Sequence, residues 1–424
     1  MRRSPLLTLT ALPLSLSLLA ACGGSSTDTP AAPPNTTGST ASSTPEPTEA
    51  GAAKTRVAVT YDGGVQVLDG STFEVLADLP FDGFARLNPA GDGRHVMVSA
   101  DGGFHVVDSG AWSEPHGDHS HYYTAEPRDT DVVYDAEKPG HVVRHAGKTT
   151  LFDDGTGDVV SFDSEHVAHD AVAEGEAREY TTPSAHHGVA VERSDGTMVV
   201  TEGTEEARTG IRVLDAQNAE IAANDQCPGT HGETVAADET VVIGCSDGVL
   251  VVKGTEITKV TSPDAYGRIG NQWGTEESPI VLGDYKSDPD AEIDLTTRVS
   301  LVDTTDATLR LVELPGGTSY WYRSLGRGEN GEGVVLGTDG QLHLIDTAAG
   351  TVTRSTPVVD PWEVQEDWQA PQPQVFTLDG TAYVTEPATK EIHAVDIETG
   401  EVYASGTLDV TPNELTAVPG EVTE

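Results

Sequence analysis

A repeated pair of short strands is the feature that most constrains how this chain can fold. Each copy has a strand rich in β-branched residues, a turn that usually contains Asp-Gly, a second strand and a closing apolar or acidic residue. Copies occur at residues 57–69, 95–108, 241–252, 334–346 and 382–396. Alternating and short apolar runs of this kind predict β-strands, and helical periodicity is almost absent. We therefore expect an all-β fold.

The copies return about every 40–50 residues, which is the spacing of propeller blades. We assign the units to residues 56–80, 84–114, 121–163, 187–222, 231–260, 268–314, 321–358 and 374–408. One unit cannot bury both of its faces, so neighbours must stack, and a closed ring removes the exposed edges. The sequence thus predicts a single β-propeller at residues 55–424. Eight blades are favoured over seven, with the ring closed by a C-terminal strand near 413–418.

The first 22 residues predict export from the cytoplasm. Arg2 and Arg3 precede a short apolar run that ends in Leu19-Ala-Ala-Cys22. The run is too short for a stable membrane span and is typical of a bacterial signal peptide. Resemblance to bacterial lipoproteins implies that Cys22 carries lipid and anchors the protein to the outer face of the cell membrane. Secretion with an incidental cysteine is the alternative. Residues 23–54, rich in Ser, Thr, Pro, Gly and Ala, predict a disordered tether.

The other two cysteines, Cys227 and Cys245, predict a disulfide. Outside the cytoplasm an isolated pair of cysteines normally oxidises. The alternative is a thiolate metal site that includes His231, which lies between them in the sequence. An oxidising compartment works against free thiolates and favours the disulfide.

The segment His116-Gly-Asp-His119-Ser-His121 gathers three imidazoles and the carboxylate of Asp118 within six residues. Neutral imidazole is the commonest side-chain ligand for borderline metals such as zinc. Gly117 and Ser120 leave the backbone free to wrap round an ion. The segment therefore predicts a metal-binding loop, with a solvated polar loop as the alternative.

Further histidines precede inner strands of the repeat, where a side chain is expected to point at the central channel. His187-Gly-Val and His231-Gly-Glu each lead one unit, and His121 leads the unit before them. We expect His121, His187 and His231 to converge, because three imidazoles with a water or a carboxylate form a tetrahedral zinc site. Core histidines bonded to backbone are the alternative for this trio.

The remaining histidines give weaker signals. His166 and His169 lie in a connection between two units, and they are candidates for a second metal site. The others are expected to be packed, solvated or structural, because they lie on strand-like sequence or at repeated blade positions: His141, His145, His95, His105, His343 and His393.

Three motifs resemble the AztD-type zinc metallochaperones of bacterial zinc import: residues 116–123, 151–157 and 186–191. The resemblance extends over the body from about residue 55. It implies an extracytoplasmic β-propeller that binds Zn²⁺ through histidines and passes it to the solute-binding protein of a zinc ABC transporter. The ligands that it implies lie among His116, Asp118, His119, His121, His186, His187 and His231. A lipoprotein start departs from the family pattern and implies a tethered chaperone.

The formal net charge of −45 excludes nucleic-acid binding driven by phosphate neutralisation. An acidic surface raises the local concentration of cations without selecting a metal, and adaptation to salt would explain the same charge. We expect a monomer that carries zinc and is not an enzyme. A metal-dependent hydrolase or lyase is the alternative, but it needs a positioned acid or base that the sequence does not reveal. A ligand-free scaffold propeller is the third possibility.

Overall fold

Nearly all of the regular secondary structure is β-strand, as predicted. The computed structural model describes residues 47–291, 293 and 295–422. The predicted signal peptide, the predicted lipidation site Cys22 and the predicted tether up to residue 46 lie outside these residues. Among the residues described, no helix is both long and apolar enough to cross a membrane.

The strands of the first half of the chain are β1 (Thr48–Ala50), β2 (Arg56–Tyr61), β3 (Gly64–Asp69), β4 (Val75–Pro80), β5 (Arg86–Pro89), β6 (His95–Ala100), β7 (Gly103–Asp108), β8 (Ala111–His116), β9 (His119–Thr124), β10 (Arg128–Asp135), β11 (Pro139–His145), β12 (Lys148–Asp153), β13 (Asp158–Asp163), β14 (Arg178–Thr181), β15 (Ala190–Glu192), β16 (Met198–Gly203), β17 (Arg208–Leu214) and β18 (Glu220–Asn224).

Those of the second half are β19 (His231–Ala236), β20 (Thr240–Cys245), β21 (Asp247–Lys253), β22 (Glu256–Thr261), β23 (Gly267–Arg268), β24 (Gln272–Thr275), β25 (Ser278–Gly283), β26 (Arg298–Asp303), β27 (Thr308–Glu313), β28 (Leu325–Arg327), β29 (Gly333–Leu336), β30 (Gln341–Asp346), β31 (Thr351–Pro357), β32 (Gln374–Leu378), β33 (Thr381–Glu386), β34 (Glu391–Asp396), β35 (Val402–Thr407) and β36 (Leu415–Val418). The helical elements are one short α-helix and three 3₁₀ turns: Ala171–Glu174, Ser164–His166, Ala237–Glu239 and Pro315–Gly317.

Eight sheets of the described residues follow a path of four antiparallel strands. Six of them use consecutive strands: β11–β14, β15–β18, β19–β22, β24–β27, β28–β31 and β32–β35. A seventh has the order β10-β7-β6-β5, and the eighth has the order β36-β2-β3-β4. The strand β36 is thus the innermost strand of the first sheet, where it pairs with β2 from Arg56↔Val418 to Val59↔Leu415. The C-terminal strand supplies the missing inner strand that the sequence pattern predicts.

Burial explains the strand sequences. Second and third strands, such as β2, β6 and β20, are covered on both faces by neighbouring sheets and are almost wholly buried. Fourth strands such as β31 and β35 alternate between exposed and half-buried residues, because only one face meets a neighbour. The innermost strands β24, β28, β32, β36 and β5 contact one another in that order.

The Asp that closes many of the units has a local role. Asp69 Oδ1 accepts hydrogen bonds from the backbone N–H groups of Ser71 and Thr72, both at 3.0 Å. Asp346 and Asp396 do the same for the turns after β30 and β34. These carboxylates satisfy backbone donors where the chain turns into the outer strand, which explains why Asp recurs there.

Two boundaries differ from the expectation. Residues 48–50 were assigned to the disordered tether, but they form β1, which pairs with β9 from Thr48↔Thr124 to Ala50↔Tyr122. Backbone pairing needs no apolar side chains, so composition could not reveal this strand. The unit assigned to 121–163 is also wrong at its start. β8 and β9 form a hairpin between the third and fourth strands of the second sheet, and β10 returns to complete that sheet.

Cys227 and Cys245 form a disulfide, with Cα atoms 5.0 Å apart. Both residues are fully buried. The bond joins the connection between the β15–β18 and β19–β22 sheets to the end of β20, so the cysteines do not serve as thiolate ligands.

Replacing both cysteines with Ser should lower the free energy of unfolding by about 3 kcal/mol, because the closed loop loses its constraint on the unfolded chain. Chemical denaturation with and without reductant measures this change. The bound metal per chain should stay the same. Labelling of either thiol in folded protein without reductant would contradict the disulfide.

Candidate metal centres

Three histidines lie at the starts of the innermost strands of three successive sheets. His141 is in β11, His187 precedes β15 and His231 begins β19. The ring centroids are 5.1 Å apart for His141–His187, 4.9 Å for His187–His231 and 6.0 Å for His141–His231. One nitrogen from each ring lies within 4.8 Å of the other two. We call these residues the inner-strand trio.

Each ring of the trio has its Nδ1 atom engaged by an acceptor of the protein. His187 Nδ1 lies 2.5 Å from Asp154 Oδ2, and His141 Nδ1 lies 3.0 Å from Glu233 Oε2. His231 Nδ1 donates to the carbonyl oxygen of Gly270 at 2.6 Å. These bonds place the proton of each neutral ring on Nδ1 and leave the Nε2 lone pair free. The arrangement is the one in which outer-shell partners orient metal-ligating histidines.

Two of these lone pairs face each other. His187 Nε2 and His231 Nε2 are 3.1 Å apart. With both protons on Nδ1, no hydrogen bond can join the two atoms, and the contact is repulsive. Nitrogen ligands on one tetrahedral Zn²⁺, with bonds near 2.05 Å, are about 3.3 Å apart. A cation between the rings would therefore turn the repulsion into coordination.

Burial and neighbouring charges shift the pKa values of the three rings in different directions. Burial lowers the pKa of His187, and burial together with the Arg268 guanidinium lowers the pKa of His231 well below its usual range. Burial alone would lower the pKa of His141 too, but the charge and hydrogen bond of Glu233 outweigh it and raise that pKa. At neutral pH two rings are therefore neutral ligands, while His141 holds its second proton more tightly.

Glycines beside the histidines make room for the acceptors. A Cβ atom on Gly140 would lie 2.3 Å from Asp154 Oδ1, and one on Gly232 would lie 2.3 Å from the carbonyl oxygen of Gly270. Gly232 also has a positive φ of 72°. Only glycine lets the backbone approach this closely.

The surroundings of the trio are electrostatically asymmetric. His187 and His231 border a cavity of about 460 Å³ that is also lined by Arg208 and Arg268. Glu233, the partner of His141, borders another cavity of about 930 Å³. The acidic side chains Glu239, Glu276 and Glu277 line this second cavity together with His145.

A second cluster lies on the β8–β9 hairpin and consists of His116, His119 and His121, which we call the hairpin trio. His116 and His119 are directly opposite each other, and His121 lies two residues further along β9, so all three share one face. The ring centroids are 5.0 to 5.4 Å apart. A nitrogen from each ring again lies within 4.8 Å of the others.

This cluster is more open than the inner-strand trio. The side chains of His119 and His121 are 56% and 37% exposed. His121 Nε2 lies 3.3 Å from His116 Nδ1, and His121 Nδ1 lies 3.3 Å from Glu49 Oε1 on β1. Gly117, with a φ of 67°, forms the two-residue turn with Asp118. The strand β1, which the composition of the sequence did not predict, thus brings the carboxylate of Glu49 to the cluster.

The predicted convergence of His121, His187 and His231 is wrong in one member. His121 belongs to the hairpin trio, and His141 takes the position beside His187 and His231. The cause is the inserted hairpin, since Tyr122-Tyr-Thr has the sequence of a strand and was assigned to the next blade. His141 was expected to be packed or solvated. A signal was present, because Gly140-His141, like His187-Gly188 and His231-Gly232, pairs His with Gly before a strand.

Two other predicted ligands are members of neither trio. His186 is buried, with Nδ1 2.9 Å from the carbonyl oxygen of Ser184 and Nε2 3.1 Å from Thr201 Oγ1, so both nitrogens are engaged. The Asp118 carboxylate is fully exposed at the hairpin turn, 3.3 Å from His119 Nδ1.

The pair His166 and His169 stacks with centroids 6.2 Å apart. His166 Nδ1 lies 3.0 Å from Glu176 Oε2. In the part of the chain that the structure describes, this pair joins no group of three ligand atoms within 4.8 Å.

The fold and the two trios define a β-propeller that carries histidine clusters suited to a metal ion. No protein-family model matches the chain. A curated relative, zinc chaperone AztD of Citrobacter koseri, is 26% identical over 371 residues, which cover 84% of each chain. The predicted resemblance to the AztD-type zinc chaperones is confirmed.

Solved structures confirm the fold. The crystal structure of Citrobacter koseri AztD superposes with a TM-score of 0.72 at 23% identity, covering 87% of this chain and 98% of that one. The structure of apo AztD from the same organism gives the same TM-score at 24% identity and the same coverage. Dihydro-heme d1 dehydrogenase NirN reaches a TM-score of 0.54 at 11% identity, covering 87% of this chain and 75% of that one. All three likenesses concern the fold alone.

The shifted pKa values predict the order in which the trio titrates. On acidification from neutral pH, His141 should gain its second proton first, above the ordinary histidine pKa of about 6.5, and His187 and His231 should gain theirs below it. Side-chain NMR of the metal-free protein measures each midpoint. Glu233→Gln should lower the midpoint of His141. Three equal midpoints near the ordinary value would contradict the assigned partners.

Proposed function

We propose that the protein is an extracytoplasmic zinc chaperone that delivers Zn²⁺ to the solute-binding protein of a zinc ABC transporter. The observation that carries the proposal is the inner-strand trio, in which three oriented Nε2 lone pairs converge. The relationship to a protein named as a zinc chaperone supports the same function. Zn²⁺ is the metal proposed because three imidazoles form one of its typical protein sites, and its binding would displace the second proton of His141.

Three protein ligands leave the fourth position of a tetrahedral ion for an exchangeable ligand. The cavity of about 460 Å³ beside His187 and His231 gives such a ligand access. Arg208 and Arg268 line this cavity and would attract an anionic group, such as a carboxylate of the acceptor protein. An arriving carboxylate could take the fourth position and begin the stepwise exchange of ligands that direct transfer requires.

The ion would enter through the other cavity. That cavity, of about 930 Å³, reaches Glu233 and carries the carboxylates of Glu239, Glu276 and Glu277, which with Asp238 outnumber the basic side chains of Arg144 and Lys148. A cavity whose lining is negative overall raises the local concentration of cations. We assign Zn²⁺ entry to this acidic cavity and release to the arginine-lined cavity.

The hairpin trio would act as an exposed capture site. Its half-open rings, with Glu49 beside His121, can take an ion from solution more readily than a buried site. The formal net charge of −45 raises the local concentration of Zn²⁺ around it. In this proposal the hairpin trio loads quickly and the inner-strand trio holds the ion more tightly.

The N-terminal segment would keep the chaperone at the membrane. Its signal-like sequence and Cys22 support a lipid anchor, and the composition of the segment after Cys22, rich in Ser, Thr, Pro, Gly and Ala, supports its role as a tether. Tethering the chaperone near a membrane-bound transporter raises the effective concentration of each protein for the other. We propose that the protein acts as a monomer and without catalysing a reaction. A metal-dependent hydrolase or lyase remains the alternative that the transfer experiment separates.

Loss of any one member of the inner-strand trio should abolish tight Zn²⁺ binding. We expect His141→Ala, His187→Ala and His231→Ala to weaken it by at least a hundredfold, because two imidazoles cannot complete the site. Asp154→Asn should weaken it about 10- to 100-fold by releasing His187 from its orientation. Competition titration with a chromogenic chelator measures each affinity.

His186→Ala is the matched control, since His186 adjoins the trio in sequence but has both nitrogens engaged. It should keep the tight site. His116→Ala combined with His119→Ala should keep most of the affinity and slow loading in stopped-flow measurements. If this hairpin variant instead loses all tight binding, the hairpin trio is the main site.

Direct delivery predicts a rate that depends on the acceptor. Transfer from the zinc-loaded protein to a zinc-specific solute-binding protein should be faster than release of zinc to excess chelator, and it should rise with acceptor concentration. Arg208→Ala should slow transfer and leave the rate of zinc release nearly unchanged. Stopped-flow fluorescence at several salt concentrations measures both rates.

Equal rates of transfer and release would contradict direct delivery and favour a zinc buffer. Hydrolysis of model esters or phosphoesters that depends on the inner-strand trio would favour the enzyme.

A further inference from the structure

A third cluster of ligand atoms lies on the sheet of β32–β35, far along the chain from both trios. Glu386 ends β33, Glu391 begins β34 and His393 follows two residues later. One ligand atom from each lies within 4.8 Å of the other two. Glu386 and His393 are buried, and Glu391 is half-buried.

The buried imidazole has one nitrogen without a partner. His393 Nδ1 lies 2.9 Å from Ser405 Oγ. His393 Nε2 is inaccessible to solvent and has no hydrogen-bond partner among the described residues. A buried polar atom left unpaired costs free energy and calls for an explanation such as an ion.

The preceding sheet contains a corresponding histidine, but both nitrogens of that imidazole have partners. His343 occupies the matching place on β30, and its Nδ1 lies 2.8 Å from Ser355 Oγ. There, however, Nε2 lies 3.2 Å from Asp339 Oδ1. Asp339 is four residues before His343, and the residue four before His393 is Thr389, which has no carboxylate. The unpaired nitrogen is therefore specific to the last sheet.

Neither carboxylate forms an ion pair with another described residue, although Glu386 Oε2 accepts a hydrogen bond from Thr389 Oγ1 at 3.0 Å. Glu386 and Glu391 are directly opposite each other in the register of β33 and β34, where like charges repel. Lys390 lies between them in sequence, but its ammonium group donates to the carbonyl oxygen of Asp409.

We propose that Glu386, Glu391 and His393 form a structural site for a divalent transition-metal ion. Two carboxylates and one neutral imidazole suit ions such as Zn²⁺ or Mn²⁺. The ion would occupy the Nε2 lone pair and cancel the repulsion between the glutamates. It would fasten the end of β33 to the start of β34.

The site also reaches beyond its own hairpin. Glu386 Oε1 accepts a hydrogen bond from the backbone N–H of Asp360 at 2.9 Å. Asp360 belongs to the long connection between β31 and β32, which has no regular strand or helix. The innermost strand β32 contacts the closing strand β36. An ion at this site would stabilise the sheet beside the point where the ring closes.

The test uses a background variant in which His231→Ala, His116→Ala and His119→Ala remove ligands from the other two clusters. Equilibrium dialysis against micromolar Zn²⁺, and separately Mn²⁺, should find one ion per chain in this background. The ion should also raise its Tm. Adding His393→Gln should remove the ion and the Tm shift, and adding His343→Gln, the matched control, should keep both.

Glu391→Gln serves as a second variant because its side chain is half-buried and the change keeps its shape, so the result stands even if His393→Gln fails to fold. It should also lose the ion. A background variant that binds no ion, or one that keeps its ion after both His393→Gln and Glu391→Gln, would overturn the proposal. The zinc-delivery function is tested separately, in protein whose inner-strand trio is intact. Failure of that function and failure of this proposal are therefore distinguishable.

Discussion

Closure of the ring by β36 is the constraint on which the rest of the structure depends. Four residues near the C-terminus pair with Arg56–Val59 near the start of the propeller, so the first sheet is built from both ends of the chain. Without this pairing the first sheet would expose the edge of β2, and the last sheet would lose the contact of β32 with β36. His141, His187 and His231 meet only because three innermost strands are held side by side in this way.

The inner-strand trio is built within this ring. Three imidazoles are oriented by Asp154, Glu233 and the carbonyl of Gly270 so that their lone pairs converge. In the zinc-binding role proposed above, a bound cation would replace the close contact between His187 Nε2 and His231 Nε2 with coordination. A site prearranged in this way needs little reorganisation when the ion arrives or leaves.

The fold could be predicted from the sequence because the strands and turns of the propeller have local sequence patterns. β-branched strands, Asp-Gly turns and Asp residues that cap the next turn are each visible within about a dozen residues. His187 and His231 were found because each is followed by glycine and then a strand. What could not be found depends on contacts between distant segments. The Gly270 carbonyl that orients His231 comes from a residue 39 positions away and has no side-chain signature.

His141 was missed for a related reason. The residues of β8 and β9 have the sequence of blade strands, and nothing local indicates that they leave the second sheet. When β8 and β9 are counted as strands of the ring, the next blade is predicted to begin at His121 instead of at β11. The strand β1 was missed because its polar residues pair through backbone alone. Its Glu49 then became an unexpected neighbour of the hairpin trio.

The position of that hairpin has a consequence for how such proteins can diversify. It leaves the second sheet after β7 and returns as β10, and its base is tied by the backbone bond from Ala125 to Gly110 at 2.8 Å. The two ends of the excursion are therefore neighbours, and no strand of the ring depends on its length. Insertions, deletions or whole replacements at this point could change the histidine cluster on the hairpin while the ring stays intact. The hairpin trio and the inner-strand trio can thus evolve separately on one scaffold.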